Sequence, residues 1–162
     1  MSLRRILLAT LPALALALPA AAGPAVAVPA LDFTDSSGEA RDQTAEHADR
    51  LALFAETLRA ELAAGGVDVV VPDCACTPRT TPFAAMAAAT RAAGAELLLA
   101  GGIHKMSTLV GAVRITLLDL AADKVICDRR FSYRGDSAEA WTRAAEFAAA
   151  DVLRACLAAP AG

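Results

Sequence analysis

Two runs of period-two alternation constrain this chain more than any other feature. Residues 109–119 read LVGAVRITLLD, with Val113, Ile115 and Leu117 on one face and Arg114 and Thr116 on the other. Residues 125–134, VICDRRFSYR, repeat the pattern, with Val125, Cys127, Phe131 and Tyr133 opposed to Asp128, Arg130, Ser132 and Arg134. Side chains of a strand alternate between faces, so each run is a strand with one buried face. The intervening DLAADK is turn chemistry, so the two pair as an antiparallel hairpin.

The rest of the chain supplies what covers that hairpin. Leu51, Phe54, Leu58 and Leu62 make one apolar stripe in a helix over 44–64, which Gly65-Gly66 stops. Ser137 with Glu139 opens a last helix over 138–157, whose stripe is Trp141, Ala145, Ala148, Val152 and Cys156. A short alanine-rich helix fits 82–93, with Pro82 in its first turn and Gly94 at its end. Apolar runs at 25–33, 67–71 and 96–103 read as strands; Pro29 puts the first at an edge or at its own start. The expected order is β-α-β-α-β-β-β-α, an α+β fold with helices packed against a mixed sheet.

The amino end reads as an export signal. Arg4 and Arg5 precede an apolar run over 6–18, and small residues follow at 20–23. About 13 apolar residues are too few to span a bilayer, which takes roughly 20. Cleavage after residue 22 leaves one domain over 23–162, periplasmic or secreted and without a membrane anchor. Loss of Arg4 and Arg5 leaves 13 basic against 18 acidic residues, a formal net of −5. That balance disfavours nucleic acid, which selects clustered positive charge.

An oxidising compartment makes the four cysteines disulfide candidates. Cys127 faces the apolar side of its strand and Cys156 lies on the apolar stripe of the last helix, so the two can pair or serve as small buried residues. Cys74 and Cys76, in the loop PDCACTP, would then form a very small ring; crossed pairings remain open. The Cys-x-Cys spacing lacks a second pair for a zinc site. A metal or small-ligand site from Cys74, Cys76 and His104 is the alternative. A redox pair would show Cys-x-x-Cys at a helix N-terminus.

The stretch GGIHKMS offers His104, Lys105 and Ser107 as an exposed partner or ligand surface, with Gly101 and Gly102 letting the backbone run close to a neighbour. Arg129, Arg130 and Arg134 with Tyr133 suggest a basic patch on the last strand. No nucleophile elbow accompanies either histidine, and Gly101-Gly102 is not a phosphate loop. No catalytic residue and no cofactor are expected.

Gly94, Ala95, Gly101, Lys105, Ser107, Asp119, Arg134, Gly135, Trp141 and Arg143 carry a resemblance. The stretch 94–143 resembles a family of small secreted proteobacterial proteins classed as a domain of unknown function. The element order also looks like the amino-terminal domain of TolB and related envelope modules of the CsgG and LpoB types. The resemblance implies a non-catalytic module that docks on an envelope or periplasmic protein, through an open sheet edge or the connection at 101–110.

Overall fold

In a computed structural model, residues 23–158 are described. The signal segment expected over 1–22 lies outside them. Strands are β1 (Val26–Ala27), β2 (Asp32–Asp35), β3 (Val69–Val70), β4 (Leu97–Lys105), β5 (Val110–Asp119) and β6 (Lys124–Arg134). Helices are α1 (Thr44–Ala64), α2 (Phe83–Ala92) and α3 (Ala138–Val152), the last continued by a π-helical turn over Leu153–Leu157. The sheet runs β3-β1-β4-β5-β6, with β2 also on β4, beyond β1. Pairing is parallel among the first strands and antiparallel across β4-β5-β6, so the mixed α+β sheet is as expected.

The expected first strand is broken in two. Val26 pairs Leu97 whereas Asp32 pairs Gly102, so six steps in one strand oppose five in the other. The extra residue falls in the link around Pro29, which has no N–H to give to a ladder. Arg59 of α1 closes this break, donating to the carbonyls of Val28 and Pro29 at 3.1 Å each. Leu31 and Val28 remain buried.

Both long helices lie on one face of the sheet. The main core joins Phe54, Leu58 and Leu62 of α1 to Trp141, Ala145, Ala148 and Val152 of α3, over Leu99, Ile103, Val113, Ile115 and Leu117. The alanine stripe of α3 packs close against α1, and Ser137 caps it by accepting from Ala140 N at 3.3 Å. On the other face α2 covers only one end, where Met86 and Ala87 meet Leu98, Ala100 and Cys76. The opposite end of that face is bare.

Two disulfides tie the structure. Cys127 joins Cys156, so the π-helical turn after α3 is fixed to β6, and Cys74 joins Cys76 in the loop before α2.

Candidate functional site

Strand β4 extends two residues past its expected end, and this decides where the singled-out polar residues go. Alternation puts Ile103 and Lys105 on the helix-covered face and Gly102 and His104 on the bare one. Lys105 is therefore 2% exposed, not part of a surface. That corrects the expectation for Lys105; its Nζ is enclosed by carboxylates brought from three separate segments. Asp136 Oδ2 lies 2.8 Å away and Asp35 Oδ2 3.9 Å, and Glu39 completes the set. Asp136 also accepts from Trp141 Nε1 at 3.0 Å and sits 2.9 Å from Arg50 and 3.3 Å from His47 Nε2.

The electrostatics of this cluster are mutual. Burial alone would push the Asp136 carboxyl up, but hydrogen bonds from Lys105, His47 and Trp141, with the Arg50 charge, hold it down at about 2. Burial likewise works against the Lys105 ammonium, and bonding to Asp136 and Glu39 overcomes it and raises its pKa. Lys105 thus stays an ammonium at neutral pH, with no lone pair to attack a carbonyl. Its part is to hold the loop between β2 and α1, and the entry to α3, onto β4.

The bare face forms an open groove of 780 Å³. Two rows of residues cross its floor in register. One row is Asp32, Gly102, Arg114 and Arg130; the other is Thr34, His104, Ala112 and Ser132. The small residues are required. A Cβ on Gly102 would lie 2.8 Å from Asp32 Cβ, and one on Gly101 2.5 Å from the Arg114 carbonyl, so the glycines do let neighbouring strands approach. His104 is exposed in the groove, its Nε2 2.7 Å from the Ser36 hydroxyl. Arg114 donates to Asp128 at 3.0 and 2.7 Å, and Arg79 reaches over from the loop before α2 to Thr34.

The other expected site residues separate. Ser107 closes the turn between β4 and β5, its hydroxyl accepting from Val110 N at 3.1 Å, so the connection expected at 101–110 is mostly strand with a tight turn. Arg134 is exposed at the end of β6. The pleat splits the basic patch: Arg129 turns to the helix side and donates to Asp151 at 2.6 and 3.1 Å, and Tyr133 packs on Trp141. Only Arg130 and Arg134 stay on the open side. The alternative set Cys74, Cys76 and His104 is not assembled. Both thiols are spent in a disulfide, and among the described residues no three His, Cys, Asp or Glu side chains are grouped to hold a metal ion.

Sequence reasoning missed Asp35, Glu39, His47, Arg50 and Asp136 around Lys105, and Arg79 and Arg114 in the groove. The signal available for Arg114 was its place on the polar face of β5, opposite Arg130 on β6. Nothing local in the sequence marks Glu39 or Asp136 as partners of Lys105.

The model of the family DUF3280, described as "Protein of unknown function (DUF2380)", matches residues 24–153. No curated protein sequence matches the chain. Among solved structures, the PelC dodecamer from Paraburkholderia phytofirmans is 18% identical, covering 85% of this chain and 90% of that one at a TM-score of 0.54. TolB from Acinetobacter baumannii is 14% identical over 82% of this chain and 28% of its own, at 0.48. The LpoB C-terminal domain from Salmonella enterica is 11% identical over 70% and 84%, at 0.38. The likeness to PelC shows a shared fold. Among the described residues no helix is long and apolar enough to cross a membrane.

Proposed function

We propose that this chain, which belongs to the DUF3280 family of proteins of unknown function, is an exported, non-catalytic binding or adaptor module of the cell envelope. One observation carries the reading. The 11-residue strand β6 ends the sheet, and among the described residues no strand pairs with its outer side. A free edge offers main-chain donors and acceptors to an added strand, the mode by which extended segments dock on sheets. Val125 and Ile126 are 51% and 38% exposed along it. The edge is guarded against indiscriminate pairing by a bulge opposite Leu117 and Leu118 and by Lys124, Asp128 and Arg130.

Support for the compartment comes from the amino-terminal residues and from two disulfides, which persist where the surroundings are oxidising. PelC was solved as a dodecamer, so the strand that completes the edge belongs either to another envelope protein or to a second copy. The test is photocrosslinking in whole cells, with the crosslinking amino acid at Ile126 or, as a control, at exposed Glu56 on α1. A discrete adduct from position 126 alone is expected, and its mass tells a copy from a different protein. No adduct, or the same adducts from both positions, overturns the reading.

A further inference from the structure

The bare face of the sheet carries a second inference, which rests on the reading of the chain as a binding module. Although the chain is acidic overall, this groove collects three guanidiniums: Arg79, Arg114 and Arg130. Arg114 is satisfied by Asp128. Arg79 and Arg130 are exposed, and among the described residues no carboxylate lies within 4.0 Å of either. They stand on opposite sides of the groove, one over β2 and the other on β6.

We infer that the groove binds an extended acidic segment of a partner protein, with one carboxylate on Arg79 and a second on Arg130. Guanidinium is the side chain best suited to bidentate carboxylate recognition. From β2 to β6 is three strand spacings, roughly 14 Å at about 4.8 Å each. An extended chain covers that in about four residues, so the recognised pair is two Asp or Glu residues about four apart. Between them the floor of Gly102 and Ala112 is flat enough for backbone to lie on, and Thr34 and Ser132 supply hydroxyls for it.

Other occupants fit less well. No Phe, Tyr or Trp lines the groove, so any platform for a base or a sugar ring is limited to the single imidazole of His104, which is hydrogen-bonded to Ser36. Asp32 lies on the floor among the cations, with no cation within 4.0 Å among the described residues. A continuous polyanion would meet that charge; two spaced carboxylates straddle it.

The experiment is fluorescence anisotropy on the mature chain with fluorescein-labelled Gly-Glu-Ser-Ala-Ser-Glu-Gly, its lysine counterpart, and labelled polygalacturonate. The expected result is saturable binding of the glutamate peptide only. It weakens at least tenfold in Arg79→Ala/Arg130→Ala and as salt rises, and is unchanged in Arg143→Ala, which alters an exposed arginine on α3. Both groove arginines are exposed, so the double variant keeps its melting midpoint, which is checked alongside. Equal affinity of wild type and double variant overturns the inference. Tenfold arginine-dependent binding of polygalacturonate without the peptide also overturns it, in favour of a polysaccharide. Binding of neither probe overturns it too. A persisting Ile126 adduct would then leave the binding-module reading standing, whereas loss of both signals would remove both.

Discussion

Lys105→Ala lowers the free energy of unfolding by about 3 kcal/mol, measured by urea denaturation of the mature chain. Removing one partner of a buried ion pair strands the other, at about 3–5 kcal/mol. The lower end applies because Glu39 and Asp35 can turn toward water, whereas Asp136 stays under Trp141 and beside Arg50. A Lys105→Met/Asp136→Asn chain is expected to recover part of the loss, since the group held under Trp141 is then neutral, while Glu39 and Asp35 can turn toward water. Arg50, which also gives up Asp136, keeps the recovery partial. If the single variant loses less than about 1 kcal/mol, an amount typical of exposed pairs, the buried cluster is not a tie.

The same cluster sets the acid limb of stability. The Asp136 carboxyl is depressed in the folded chain from 3.8 to about 2. A depressed acid stabilises the fold fully above its unfolded value, and that contribution is lost as pH falls from about 4 through about 2. Lys105 runs the other way. Its raised pKa stabilises below 10.5 and is lost only above it. Wild-type stability is therefore expected to fall more steeply than that of Lys105→Ala between about pH 4 and 2.

The second large effect comes from the Cys127–Cys156 bond. Cys127→Ser/Cys156→Ser is expected to lose about 3–4 kcal/mol, because the bond closes a loop with a sequence separation of 29 residues. For a domain of this size that is a fall in melting midpoint of about 10 °C. The Cys74–Cys76 bond closes a separation of only 2 residues, so Cys74→Ser/Cys76→Ser should lose less than about 2 kcal/mol on the same loop argument. Calorimetry of the three chains, with and without reductant, checks the ranking. Equal midpoints for both double variants would contradict it.

How much of this was legible in the sequence depended on whether the signal was local. Alternation in 109–119 and 127–134 gave the hairpin in its true register of faces, including Cys127 toward the helices; the bulge at Leu117 and Leu118 turns Val125, expected beside Cys127, to the opposite face. The apolar stripe of α3 put Cys156 on the matching side, so that pairing was foreseeable, though crossed pairings stayed open. The stop and cap signals at Gly65 and Ser137 marked helix ends correctly. The break in the first strand was not legible, because only the two parallel registers on β4 reveal the extra residue.

Lys105 was misplaced for a related reason. A lysine after an apolar run reads as the solvated end of a strand, yet two further residues of β4 pair with β2 and β5 and turn it inward. The carboxylates that make this tolerable come from positions 35, 39 and 136, too far along the chain for spacing to announce them. The groove was hidden by the same non-locality: Arg79, Arg114 and Arg130 become neighbours only once the sheet order is known.

The claim on which the functional account turns is that β6 is an open docking edge. Amide hydrogen exchange over residues 124–134 tests it most directly, in the mature chain alone and with the purified partner identified by the Ile126 adduct. The account predicts that the outward-facing amides exchange quickly in the free chain and slow at least tenfold on binding, while exchange over β4 is unchanged. A bound partner that leaves exchange over 124–134 as it was would contradict it.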